Sequence, residues 1–379
     1  MNSASSYPLP GKVLVIGQVP PPLHGQALMT QRLVNAPMQR IKIYHIPMAF
    51  SKSTAAVGKF SLGKVGHMVF ITARALYYRV RYRINTLYYM PAGPDLVPVV
   101  RDMFILTFLR LGYRKTIFHF RAAGVSEFVA QQPTLIRKIA YWVYRRPDLA
   151  IHLTSVSPDD GGYFKANKQI VINNGLEDAA APYVPIQRSD SEDALSILYI
   201  GSISESKGVM VFLEALTLLR AQGYTVRAEV VGGFSSEAFR EKVDNYCRAH
   251  HLEEVVTFAG EKAGAEKWEC FLRNDLLCFP TFYESESMSS VVVEAMMFEM
   301  PVVSTQWRGI PDVVDQGQTG WLAPVRNPQA IADYISQLIQ DPAMRKAMGR
   351  AGREKFLARF QLSRFLADME DALGEIAEA

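Results

Sequence analysis

Short apolar runs recur along this chain, separated by longer stretches in which apolar residues return every three or four positions. The runs have the length of buried strands and the stretches have the period of helices. Strands are predicted over residues 12–17, 84–90, 115–120, 151–155 and 169–173, then over 195–200, 227–231, 255–259, 276–279 and from 301. Helices are predicted from about 27, over 64–83, 95–111 and 136–146, from about 209, over 291–300, and through the tail from 328. Strands alternating with helices predict an α/β chain with mainly parallel sheet. A length of 379 residues suits about two domains. The proline-then-polar segment 182–193 is the expected linker. The domains are accordingly placed at 1–185 and 194–355, with 356–379 as a closing helical segment.

Charge divides the same way. Residues 1–150 hold 20 Lys and Arg against 4 Asp and Glu, and the rest hold 21 against 33. No carboxylate precedes Asp95. A half this basic expects an anionic partner: a membrane surface, an anionic substrate or nucleic acid. No recognised nucleic-acid motif is present, so that partner is set aside. In the 64–83 helix, Val65, Val69, Leu76 and Val80 share one face and are assigned to the core. His67, Arg74 and Arg81 lie opposite with Ile71, Tyr78 and Tyr82, a mixture suited to the headgroup region of an anionic bilayer. Lys64, Arg74, Arg79, Arg81 and Arg83, with Arg145 and Arg146 ending the helix 136–146, are the candidate membrane- and acceptor-facing cations. No apolar run is long enough to cross a bilayer. The start has no signal-peptide core, and Cys247, Cys270 and Cys278 show no metal-like spacing. A cytoplasmic protein, peripheral on the inner face of the plasma membrane, is expected.

The most informative stretch is 281–308, which reads as loop, helix and buried strand. Ser289 and Ser290 stand where an N-cap is wanted, so first-turn amides point back at the preceding loop and offer a place for phosphate. Glu286 lies in that loop and Glu294 one turn into the helix. This Glu-x7-Glu pattern, followed by Ala295-Met296 and Pro301-Val302-Val303, resembles the signature of the retaining GT-B glycosyltransferases of family 4.

Further segments carry the resemblance. The loop after the first strand, with Gly25, is similar to the family's Pro-Pro-x-x-Gly-Gly loop, with Gln26 at the second glycine. His119 matches the first histidine of a His-x-His-Gly segment, and Arg121 takes the place of the second. Lys207-Gly208 matches the Lys-Gly of a Gly-Arg…Lys-Gly loop in which Ser202 replaces Arg. Residues 173–177, 309–314 and 317–320 match family turns. The resemblance is strongest over 195–324.

It implies a GT-B fold of two Rossmann-like domains, with the last helix crossing back to the first. The implied activity is transfer of a hexose, with retention, from a UDP- or GDP-linked donor to a polyprenyl-diphosphate-linked saccharide in polysaccharide biosynthesis. No metal or other cofactor is implied. Glu286, Lys207 and His119 are the implied catalytic residues, with Glu286 and His119 at the donor sugar and Glu294 at the ribose. Gly25, Ser202, Lys207, Met288, Ser289, Ser290, Val291 and Glu294 would form the nucleotide-sugar site. A sugar-nucleotide epimerase of the same fold is the alternative, although it leaves the basic half without a purpose.

Overall fold

A computed structural model describes residues 10–21, 25–48, 62–91, 93–186 and 194–378, without the side chains of Leu62 and Lys64. Lys64 and part of the loop before Gly25 therefore lie outside the described residues. The chain forms two compact units, 1–175 with 362–379, and 176–361.

The first unit contains β1 (Gly11–Gly17), α1 (Gly25–Asn35), β2 (Ile41–Pro47), α2 (Leu62–Arg81), β3 (Thr86–Tyr89), α3 (Leu96–Gly112), β4 (Lys115–Phe120), α4 (Val125–Gln131), α5 (Thr134–Tyr144), β5 (Leu149–His152), α6 (Asp160–Tyr163) and β6 (Gln169–Val171). The second contains β7 (Leu195–Ile200), α7 (Val209–Ala221), β8 (Val226–Val231), α8 (Glu237–Ala249), β9 (Val256–Gly260), α9 (Gly264–Arg273), β10 (Leu276–Phe279), α10 (Ser290–Met297), β11 (Val302–Thr305), α11 (Ile310–Val313), β12 (Gly320–Ala323), α12 (Pro328–Gln340) and α13 (Pro342–Arg359). The last helix, α14 (Leu362–Glu378), belongs to the first unit.

The first sheet is parallel, in the order β2-β1-β3-β4-β5-β6. Its central strands β3, β4 and β5 are buried on both faces because both faces are covered. Leu14, Ile16, Leu87, Tyr89 and Phe118 pack with residues of α2, α3 and α5, such as Ile71, Leu106 and Val143. The alternate residues Val13, Val15, Tyr88 and Ile117 pack with Met29 and Leu33 of α1 and with Phe365, Met369 and Leu373 of α14. On the first face the buried Asp102 carboxylate accepts from Tyr89 (2.7 Å), Tyr144 (2.9 Å) and Arg101 (2.9 Å), tying α3 to β3 and α5.

Two expectations need correction. In α2 the core stripe is only in part the one assigned above. Leu76 packs against the core as expected, but Ile71 and Ala75 are fully buried and Met68, Tyr78 and Tyr82 also pack there, while Val69 and Val80 are 51% and 77% exposed. Two apolar stripes have helical spacing here, and packing on α3 takes the one holding the small Ala75. The unit boundary also falls before 185. Asp178 is bound by both Nη atoms of Arg353 at 2.6 Å, and the Leu176 amide donates to Phe360 O, so the chain joins the second unit from Leu176.

The second sheet is also parallel, in the order β12-β11-β10-β7-β8-β9. The chain runs outward from β7 through β8 to β9, then returns to β10 on the other side of β7. Such a reversal opens a crevice beyond the carboxyl ends of the two adjacent strands, where doubly wound sheets bind ligands. The loops at that point are 201–208 and 280–289.

Candidate active site

In the second unit the β7 loop must pass very close to the β10 loop. Gly208 caps α7 with φ +83°, and a Cβ there would stand 2.0 Å from Pro280 O. Only glycine has both the conformation and the space. The Phe282 amide donates to Ser206 O at 2.8 Å, Ser304 Oγ to Phe279 O at 2.6 Å, and Thr305 Oγ1 to Thr281 O. Trp307 Nε1 holds Tyr283 O at 2.8 Å. The two loops are thus braced from β11 and from one another.

This bracing brings Lys207 and Glu286 together. Lys207 Nζ lies 2.7 Å from Glu286 Oε2, which also accepts from Thr281 Oγ1 at 3.3 Å. The ammonium stands 4.4 Å from the Tyr283 ring centroid and 5.7 Å from that of Phe279. Lys207 keeps 21% of its side chain exposed and Glu286 9%. Glu286 Oε1 has no hydrogen-bond partner among the described residues. Ser289 caps α10 without a side-chain bond. Its hydroxyl leaves the first-turn amides of Ser290 and Val291 to another acceptor. Met288 and Ser289 are buried, and Ser290 and Val291 are half-buried. Tyr199 OH donates to Ser202 O at 3.0 Å and to Lys207 O at 3.3 Å, fixing the backbone of the β7 loop.

Glu294, buried on α10, is bound by Lys267 Nζ of α9 at 2.6 Å. Lys267 escaped the sequence reading because no local pattern joins it to a carboxylate 27 residues away. Each glutamate of the motif therefore has its own lysine.

In the first unit His119 sits near the carboxyl end of β4 and is fully buried. Its Nδ1 is 2.6 Å from Tyr88 OH, and its Nε2 has no partner among the described residues. Burial, then the charges of Arg121 and His152, hold this imidazole well below its ordinary pKa, so it is neutral. Arg121 Nη1 donates to Asn174 Oδ1 at 2.9 Å. Gly25 is the first residue of α1. Arg74 bonds Tyr78 OH at 3.0 Å, and Arg79 bonds Gly112 O at 3.0 Å. Arg81, Arg83, Arg145 and Arg146 are exposed. Arg79, Arg81 and Arg83 precede β3, and Arg145 and Arg146 precede β5, at the sheet's amino edge rather than the edge where His119 lies.

The family description "Glycosyl transferases group 1" matches residues 186–355. The match covers a little under half of the chain. The glycosyl transferases group 1 match encloses Ser202, Lys207, Glu286 and Glu294 and stops before α14. Among curated relatives, the putative colanic acid biosynthesis glycosyltransferase WcaL of Escherichia coli is 31% identical over 47% of this chain and 45% of its own. The capsular polysaccharide biosynthesis glycosyltransferase CapM of Staphylococcus aureus is 26% identical over 44% and 43%. The chain thus spans less than half the length of these curated relatives. Among solved structures, Anabaena Alr3699/HepE in complex with UDP aligns over 96% of this chain and 100% of its own, with TM-score 0.71 and 16% identity. Sucrose-phosphate synthase from Thermosynechococcus elongatus aligns over 96% and 98%, with TM-score 0.69 and 17% identity. These likenesses identify the fold as GT-B, with two parallel six-stranded sheets.

Proposed function

We propose that this protein is a retaining glycosyltransferase that moves a hexose from a UDP- or GDP-linked donor to a membrane-held, polyprenyl-diphosphate-linked saccharide during polysaccharide synthesis. The observation that carries the reading is the Lys207–Glu286 pair beside the open first turn of α10, at the switch point of the second sheet. The names of the relatives support it, since WcaL is described as a colanic acid biosynthesis glycosyltransferase and CapM as a capsular polysaccharide biosynthesis glycosyltransferase.

A departing nucleoside diphosphate develops negative charge on its terminal phosphate. Lys207 and the α10 amides supply positive charge there without a metal ion. Binding moves Lys207 from Glu286 onto phosphate, which frees the carboxylate to hold the sugar hydroxyls. Glu294, steadied by Lys267, holds the ribose. The acceptor hydroxyl attacks the anomeric carbon on the face the diphosphate leaves. The C–O bond to phosphate breaks as the new glycosidic bond forms, and the leaving phosphate takes the acceptor's proton.

The membrane part of the reading rests on apolar exposure as well as charge. Val69, Phe70, Tyr77 and Val80 of α2, Phe108 and Leu111 of α3, and Leu135 of α5 are each 45% or more exposed. An apolar surface with arginines at its margin suits an anionic bilayer, at the cytoplasmic face of the plasma membrane.

The test is a thermal-shift screen of UDP-, GDP- and ADP-sugars, followed by transfer assays with the donor that stabilises. Glu286→Ala should keep its fold and lose at least about 100-fold in rate. An unchanged rate in a folded Glu286→Ala protein would remove Glu286 from the mechanism.

A further inference from the structure

The first unit has a concentration of charge that joins Arg145 and Arg146, two of the candidate membrane-facing cations, to Arg110 and Lys165. A pocket of about 410 Å³ is lined by Arg110, Tyr141, Arg145, Arg146 and Lys165. Arg110 lies in the last turn of α3, Arg145 and Arg146 follow α5, and Lys165 follows α6. All stand just before β4, β5 or β6, so the pocket opens at the sheet's amino edge, while His119 lies near the carboxyl end.

Four cations line this pocket. Among the described residues none of the four forms an ion pair. Asp148 is close enough to act on Arg110, but its carboxylate already accepts from the Thr116 amide at 2.8 Å and lies 3.8 Å from Lys115 Nζ. Arg110 closes the end of α5, where its Nη2 donates to Arg145 O at 2.5 Å and to Arg146 O at 3.4 Å. Its Nε and Nη1 have no hydrogen-bond partner among the described residues, and its guanidinium stands 5.8 Å from the Phe118 ring centroid. Burial lowers its pKa first; the Asp148 charge opposes this, and the Arg145 charge adds to it less strongly. Arg146 and Lys165 also hold left-handed backbone, with φ of 50° and 55°, a conformation that costs free energy in residues with a Cβ. The Arg146 amide donates to Phe164 O at 2.6 Å, locking the two turns side by side.

We propose that this pocket binds a terminal phosphate, as a phosphomonoester or a pyrophosphate. Such a group has two or more charges and several acceptor oxygens. It matches converging guanidinium forks, one ammonium and a phenol hydroxyl better than a carboxylate does. The ligand chemistry has two sources, an anionic lipid headgroup or a soluble phosphorylated metabolite. The site does not depend on the transfer reading.

The test is calorimetric titration of the full chain with sodium pyrophosphate. Pyrophosphate also suits the Lys207 loop, so the titration is done on Lys207→Gln as parent and repeated on the wild type. Arg145→Gln with Lys165→Asn removes two cations, and asparagine tolerates the left-handed backbone. Arg227→Gln with Arg350→Gln removes the same charge from exposed positions of the second unit. The parent should bind one pyrophosphate, the first pair should weaken it at least about tenfold, and the second pair should leave it unchanged. Absence of binding by the parent below millimolar concentration, or equal weakening by both pairs, would overturn the site. Vesicle binding then separates the sources. Preference for phosphatidic acid over phosphatidylglycerol at equal surface charge, lost in the first pair, assigns a lipid headgroup. Equal binding to both vesicles assigns a soluble phosphate.

Discussion

Breaking the Lys207–Glu286 pair should destabilise the second unit, and breaking both halves should cost little more than breaking one. At 2.7 Å and an effective dielectric of about 20, the bare attraction is about 6 kcal/mol. Desolvation offsets much of it, because both groups are mostly shielded from water. A charged hydrogen bond in such a place retains about 1.5–3 kcal/mol. Lys207→Met strands a carboxylate held otherwise by Thr281, and Glu286→Gln strands an ammonium against the Tyr283 and Phe279 rings. Each single change should cost about 2–3 kcal/mol, with a coupling of about 1.5–3 kcal/mol in the double variant. Urea titration followed by tryptophan fluorescence measures this, since Trp268, Trp307 and Trp321 lie in the second unit and Trp142 alone in the first. A coupling below about 0.5 kcal/mol, the usual limit of additivity, would refute the pair as an energetic unit.

Three further outcomes follow from other parts of the chain. Gly208→Ala places a Cβ 2.0 Å from Pro280 O at φ +83°, so the second unit should lose at least about 1–2 kcal/mol in urea, with donor binding weakened as the loops separate. Burial is the first cause holding His45, His67 and His119 below their ordinary pKa. The unfolded chain therefore binds more protons than the folded one below about pH 6.5, and first-unit stability should be complete above that pH and fall below it. His119→Gln should make the acid loss shallower, as read from urea midpoints between pH 7.5 and 5; an unchanged slope would contradict a neutral buried imidazole. Replacing the exposed Val80, Leu111 and Leu135 by Asn should weaken sedimentation with anionic vesicles at least about tenfold, with unfolding midpoints unchanged, because each apolar side chain loses about 1.5–3 kcal/mol of burial in the bilayer.

The alternation of strands and helices was legible because parallel strands covered on both faces are continuous apolar runs. β7 and β10 stand out for that reason, and with them the loops that hold Lys207 and Glu286. β2 was not read as a strand, since Lys42, Tyr44 and His45 interrupt its apolar pattern at the sheet's edge. The buried face of α2 was partly misread because period alone cannot choose between two apolar stripes. Ala75 and the neighbouring α3 decide it. The unit boundary depends on Arg353 reaching Asp178, a pairing 175 residues apart in the chain. Lys267 and the pocket around Arg110 and Lys165 have the same origin. Packing assembles them from separate connections, and no motif spans the distance.

The most direct measurement is calorimetric titration of UDP- and GDP-sugars into the wild-type chain and Lys207→Gln. One donor should bind the wild type in the micromolar range, and Lys207→Gln should weaken it at least about tenfold, the loss expected for one charge-assisted bond to phosphate. A chain that binds no nucleotide sugar, or whose affinity is the same without Lys207, would contradict a pyrophosphate held between this lysine and the first turn of α10.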